Sequence, residues 1–188
     1  MRNSTATRRQ WVIKHVSGRA AVGRWMLRLK KWTHDQCPRC GVADEDTKHV
    51  VNCQDPRAKD VWTKSLAELA VWMKKEKTHP GIRAAIIGYL KAWQADGPPP
   101  NLVGQQFFDV PVAIANQNTI GWQAMMDGSL AQGWQSSQQR YYEYIRSKKT
   151  GLRWTSALIR KLWQIAWDMW EHRNGILHDK EFGQAAVE

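Results

Sequence analysis

Cys37, Cys40, His49 and Cys53 fall in the spacing C-x2-C-x8-H-x3-C and include every cysteine of the chain. Three thiols and an imidazole within seventeen residues are the donor set of a tetrahedral metal site, and zinc is the ion these ligands suit best. Protein fills all four positions, so the expected ion is structural, one per chain, with no place left for a substrate water. An odd cysteine count without a preceding apolar leader argues against a disulfide framework. His34 competes for the fourth position, three residues before Cys37. His49 is the better choice because it completes a pair with Cys53, whereas His34 would crowd one side of the cysteine turn.

Two local elements must position these ligands. Cysteines two residues apart can share an ion only from a tight turn, which Pro38 and Gly41 are suited to make. His49 and Cys53 are spaced i, i+4, and lie on one face of a helical turn. The expectation is a knuckle followed by a short helix over residues 35–55. Structural zinc contributes on the order of 10 to 16 kcal/mol in isolated finger peptides, so this segment should depend on its ion.

Charge points to an anionic partner. The 188-residue chain carries a net charge of +11 and a calculated pI near 9.8, which suits nucleic acid or an acidic surface. Nine cations, from Arg2 to Lys31, precede the first acidic residue, Asp35. Among them run Trp11, Val12, Val16, Ala20, Val22, Trp25, Leu27 and Leu29, an apolar stripe of roughly helical period, so residues 1–34 are expected as a basic amphipathic helical region. Arg24, Arg28, Lys30, Lys31 and Arg39 are the candidates for backbone phosphates, and Trp32, beside Lys31, is the candidate for stacking a base. Tyr141, Tyr142 and Tyr144, flanked by Arg140 and Arg146, form a weaker stacking group.

The stretch CPRCGVADEDTKHVVNC, residues 37–53, resembles the zinc-binding region that follows the polymerase domain in reverse transcriptases of non-LTR retrotransposons. Its Cys-Pro-x-Cys-Gly knuckle, acidic-Thr dipeptide (Asp46-Thr47) and His-Val-x-x-Cys ending carry the likeness. Leu162–His178 is similar to a Trp-rich helix ending in His-Arg-Asn that closes many retroelement proteins of microbial eukaryotes. Residues 55–118 carry no such likeness. The resemblance implies an accessory region that binds RNA or DNA, as part of, or derived from, a retroelement polyprotein whose remainder would be a partner. A protein-interaction domain with zinc as a staple is the alternative.

The remaining pattern is helical, and the fold class expected is mainly α, a helical bundle with the knuckle near its N-terminus. Val61, Trp62, Leu66, Leu69, Trp72 and Met73 recur at spacings of three and four after Pro56, giving a helix to about Lys77. A second runs from about Ile82 to Gln94, completing a helical pair over 56–96. Asp96-Gly97-Pro98-Pro99-Pro100 is the strongest break. It is expected to separate the zinc-bearing half from the rest, with residues 97–118 as a Pro-rich break and extended loop. The C-terminal region, 119–188, is read as Trp-rich and helical, with helices near 120–126, over 133–149 and from Trp154 onward. Its wide apolar arc should be buried against two or more partners. Of the twelve tryptophans, Trp62, Trp72, Trp163, Trp167 and Trp170 are expected in the core.

Catalytic constellations are nearly absent. There is no Asp-Asp pair for a polymerase, no Gly-rich phosphate loop, no Gly-x-Ser-x-Gly and no His-Glu-x-x-His. Arg173-Asn174-x-x-x-His178 resembles the signature of HEPN ribonucleases, which implies a metal-independent alternative with His178 as acid or base and Arg173 stabilising phosphorane charge. Five residues turn a straight helix through about 500°, leaving the two side chains about 140° apart. They converge only if the helix ends near Gly175 or a second subunit supplies the mate. No apolar run is long enough to span a bilayer. Reduced cysteines suit the cytosol or nucleus, and no secretion or membrane is expected.

Overall fold

Helix punctuation decides where the periodic segments begin and end. The computed structural model describes residues 2–100 and 109–185, with side chains from 7 to 100 and from 109 to 179. Among these residues there are nine α-helices and no strand: α1 (Arg2–Val16), α2 (Gly23–Arg28), α3 (Thr47–Asn52), α4 (Pro56–Lys75), α5 (Pro80–Gln94), α6 (Val110–Ile120), α7 (Trp122–Met126), α8 (Gln132–Tyr144) and α9 (Gly151–Ala185). The class is all-α, as the periodicity predicts. Pro80 sits in the first turn of α5, where a missing N–H costs nothing. His79 caps that helix, its Nδ1 accepting from the Gly81 N–H at 3.0 Å.

Three expectations are corrected. The basic N-terminal region is two helices: α1 ends at Val16, and the chain turns through Gly18 in the left-handed region before α2. Its apolar stripe is accordingly split, with Trp11, Ala20 and Val22 buried but Val16, Leu27 and Leu29 exposed. The extended loop expected over 97–118 lies partly outside the described residues, at 101–108. Its remainder is helical from Val110, because Pro111 fits a first helical turn and Val110, Ala113 and Gln117 make a buried face at helical spacing.

The third correction concerns organisation. The chain divides into two units, residues 1–63 with 165–188, and residues 64–164. The boundaries fall inside α4 and α9 rather than at the Pro-rich break, which lies within the second unit. A helix continuous through a boundary leaves no Pro, Gly or polar signal to mark it. The end of the chain therefore returns to the unit that holds the cysteines.

In the first unit, Trp11 meets Trp167 edge-on, with ring centroids 5.1 Å apart, and lies 6.1 Å from Trp170. His15 stacks on Trp11 at 4.7 Å and is 2% exposed. Burial lowers its pKa to about 4, so it is neutral in the folded chain at neutral pH. Val50, Val51, Ala58, Trp62, Ala166 and Met169 complete this core.

The second unit packs Leu66, Leu69, Met73, Ile82, Ile86, Leu90, Met125, Trp134, Leu158 and Leu162 out of solvent. Of the tryptophans expected in the core, Trp62 and Trp170 are buried, while Trp72, Trp163 and Trp167 are half-buried. Trp134 and Trp154 are buried as well. No helix among the described residues is long and apolar enough to cross a membrane.

Gln117 is the polar centre of the second unit. Its Oε1 accepts from the Ala131 N–H at 2.9 Å and from Trp134 Nε1 at 3.2 Å. Its Nε2 donates to the Gly121 and Ser129 carbonyls. All four capacities of the buried amide are used, tying α6 to the turns on either side of α7. Gln117→Ala should destabilise the chain by on the order of 2 to 4 kcal/mol, because buried donors are left without an acceptor. The check is urea denaturation, and a midpoint unchanged from wild type would contradict the assignment.

Candidate metal centre

The knuckle is built by backbone before any ion is considered. Gly41 N–H donates to the Cys37 carbonyl at 2.9 Å, and Cys37 N–H to the Val42 carbonyl at 2.8 Å. Gly41 takes φ of +76°, a conformation other residues resist, and so closes the turn between the first two ligands. Asp46 caps α3, its carboxylate accepting from the His49 N–H at 2.7 Å. That cap starts the helix where His49 and the C-terminal capping residue Cys53 can share a face.

The four ligand atoms lie within 4.8 Å of one another. Cys37 Sγ is 3.9 Å from Cys53 Sγ, and Cys40 Sγ is 3.3 Å from His49 Nε2. A tetrahedral site with Zn–S of about 2.3 Å and Zn–N of about 2.0 Å has S···S edges of about 3.8 Å and S···N edges of about 3.5 Å. The donor set and its spacing therefore fit a metal ion. His34 stands outside the cluster, its Nδ1 taking the Gln36 N–H instead.

Electrostatics favour one ionised sulfur in the buried pair, that of Cys37. The Cys53 thiol, donating to Cys37, holds Cys37 far below the ordinary thiol range, with help from His49 and the backbone N–H groups of Cys40 and Arg39. The same shared proton, together with burial, pushes Cys53 up. A divalent ion takes the place of such protons when thiolates bind it. Cys37 and Cys53 are buried, whereas Cys40 lies at the solvent edge.

Two arginines expected at an anionic ligand or in catalysis are structural. Arg39 is 5% exposed and donates to the Val50 carbonyl at 2.5 Å and the Met169 carbonyl at 3.4 Å. It bonds the end of α3 to α9 and cannot meet a phosphate, which corrects its assignment as a nucleic-acid contact. Arg173 is 1% exposed and grips Glu45, itself fully buried, through Nε at 3.0 Å and Nη2 at 2.5 Å. Glu45 also accepts from the Gly23 N–H at 2.8 Å. A Cβ on Gly23 would stand 2.3 Å from the Asp35 carbonyl oxygen, so only glycine lets α2 approach.

The ribonuclease alternative meets the same facts. Helix α9 continues through Gly175 to Ala185, so Arg173 and His178 do not converge on it. Arg173, enclosed with Glu45, is also out of reach of a second subunit's substrate. Trp32 is half-buried with the Arg173 guanidinium over one face of its ring at 5.2 Å, which leaves only the other face for a base.

The other candidate cations are exposed. Arg24 pairs with Asp44 in the ligand loop and lies 3.5 Å from Asp46, so its charge is partly answered. Arg28 sits over the Trp25 ring at 5.5 Å. Lys30, in the left-handed conformation that ends α2, and Lys31 follow on the surface. A cleft beside the knuckle is lined by Ser17, Arg19, Arg24, Trp25, Arg28 and Thr47, with Asp46 at its wall. In the second unit, Tyr142 is buried with its hydroxyl on the Glu76 carbonyl at 2.7 Å, and is core rather than a stacking platform.

Sequence reasoning missed Glu45 and the cap made by Asp46. The cap had a signal, an Asp three residues before His49 at a helix start. Glu45 had none, since its partner is 128 residues away.

Glu45→Ala should cost on the order of 3 to 5 kcal/mol, because it leaves the Arg173 cation buried without a counter-charge. Arg24→Ala, at an exposed pair, should leave the denaturation midpoint close to wild type; equal losses for the two would refute the ranking. Purified protein should carry one metal ion per chain, and chelation or Cys40→Ser should lower both helix content and the melting temperature. A folded sample of the same stability with no bound metal would break that expectation.

Compared with protein-family models, with curated proteins and with solved structures, the chain finds no match.

Proposed function

We propose that the chain is a zinc-stabilised nucleic-acid-binding module, of or derived from a retrotransposon reverse transcriptase protein, and not catalytic by itself. The observation that carries the reading is a set of exposed cations, Arg19 and Arg28 lining the cleft beside the cysteine knuckle with Trp25, and Lys30 and Lys31 following at the end of α2. None of the four cations makes an ion pair among the described residues. Cations tracking a backbone next to an aromatic ring are what a single strand requires, the charges meeting phosphates and the ring meeting a base. Zinc is the ion this donor set suits, and with four protein ligands it would hold the fold of the loop rather than activate water. The retroelement origin rests on the motif in residues 37–53 and on the Trp-rich ending of the chain.

Phosphate contacts of this kind position a strand without reading much sequence, and they release counterions. Binding of a labelled single-stranded oligonucleotide, followed by fluorescence anisotropy, should weaken steeply with salt. Arg28→Ala/Lys30→Ala/Lys31→Ala should weaken it about ten-fold and lower the log–log salt slope by about 2, at roughly 0.7 per lost phosphate contact. No binding by the wild type at low salt would leave a zinc-stapled interaction domain as the better reading.

A further inference from the structure

We propose that the second unit carries its own phosphate-backbone surface for a single-stranded nucleic acid, in a cleft lined by Lys148, Lys149 and Arg153 and continued along α9 by Arg160. The inference rests on the nucleic-acid reading above and extends it to a unit that has no cysteine. Between Glu143 and Asp168 the chain holds Arg146, Lys148, Lys149, Arg153, Arg160 and Lys161 and no acidic residue. That is a second cationic segment, separate from the one before Asp35.

The cleft walls are Tyr142, Trp154 and Glu76. Glu76 is its one acidic residue and is already engaged, with Lys149 Nζ at 2.6 Å. Lys148, Arg153 and Arg160 are exposed and make no ion pair among the described residues. Arg153 and Arg160 are seven residues apart, which places them on one face of α9 with about 10 Å of rise between them. A free phosphate or a single phosphorylated side chain would use only one end of such a row. A strand presents a charge about every 3.4 Å when stacked, so the row can meet about three successive phosphates.

The aromatic groups in the cleft define what it cannot do. Trp154 Nε1 donates to Thr78 Oγ1 at 2.8 Å, and the Tyr142 hydroxyl donates to the Glu76 carbonyl at 2.7 Å. Both rings are buried and neither offers a face to a base. The surface holds backbone and carries no sequence information, in contrast to the cleft that contains Trp25.

The test compares the full chain with Lys148→Gln/Arg153→Gln/Arg160→Gln, using labelled oligo(dT) across a salt series. Lys149 is kept because its pair with Glu76 belongs to the fold. The triple variant should bind 5- to 30-fold more weakly and lose about 2 from the salt slope, at roughly 0.7 per phosphate. Should it melt early, Lys148→Gln/Arg160→Gln carries the same comparison. Wild-type affinity and slope in the folded variant would overturn the inference, even where Arg28→Ala/Lys30→Ala/Lys31→Ala weakens binding and the wider reading survives. Failure of the wild type to bind oligo(dT) at low salt would remove both. Polyglutamate competing as well as unlabelled oligo(dT) would overturn the assignment to nucleic acid and leave a general polyanion surface.

Discussion

The unit that holds the cysteine cluster depends on one buried carboxylate. Glu45 lies in the ligand loop between Gly41 and the cap Asp46, yet its side chain holds Arg173 of α9 and the first amide of α2. Its own backbone joins the same set, Glu45 N–H donating to the Asp35 carbonyl and the Glu45 carbonyl accepting from Arg24 N–H, both at 2.9 Å. Four stretches of chain thus meet at a single residue. An ion pair in this setting is poor evidence of net stability, since taking both charges out of water costs nearly what their attraction returns. What it supplies is selection. Any register of the loop that moves the carboxylate leaves Arg173 buried and unanswered, and alternatives are penalised more than the native arrangement is favoured.

The ligand cluster and this ion pair divide the labour. With an ion bound, the four ligands would constrain residues 37–53 among themselves. Glu45 and Arg39 fasten that small closed unit to α9, one through a carboxylate and one through carbonyl acceptors at Val50 and Met169. Loss of the ion would release the knuckle locally, whereas loss of Glu45 would release the attachment while the ligands kept their spacing. The two failures differ in kind, and only the first is set by thiol chemistry.

The cluster was legible because metal ligation is a local problem with a strict answer. Two cysteines in a turn, and a histidine and a cysteine one helical turn apart, satisfy a tetrahedron whatever surrounds them. The helices were legible for a related reason, since Pro56 marks a start and the apolar spacing marks faces. What could not be read was anything decided by distant partners. Arg39 and Arg173 have the composition of phosphate ligands, and only the buried groups 11 and 128 residues away turn them inward. The segment from Val110 looked extended because its β-branched residues Val110, Val112 and Ile114 favour a strand in isolation. A buried face, with Gln117 bonded to Ala131 and Trp134, overrides that preference.

Net charge is therefore a weak guide to function until the cations are sorted by what they touch. Of the residues that make this chain basic, Arg39 and Arg173 serve the core, and Arg24 and Lys149 face carboxylates within their own units. Those pairings account for several charges that composition alone would have offered to a ligand. Of the other twenty-four cations, thirteen lie in two acid-free stretches of sequence, one before Asp35 and one between Glu143 and Asp168. Folding stability does not explain why exposed cations should be concentrated there, because like charges close together repel and cost stability. An anionic partner would offset that cost when it binds, which is why the two stretches, rather than the total of +11, carry the functional argument.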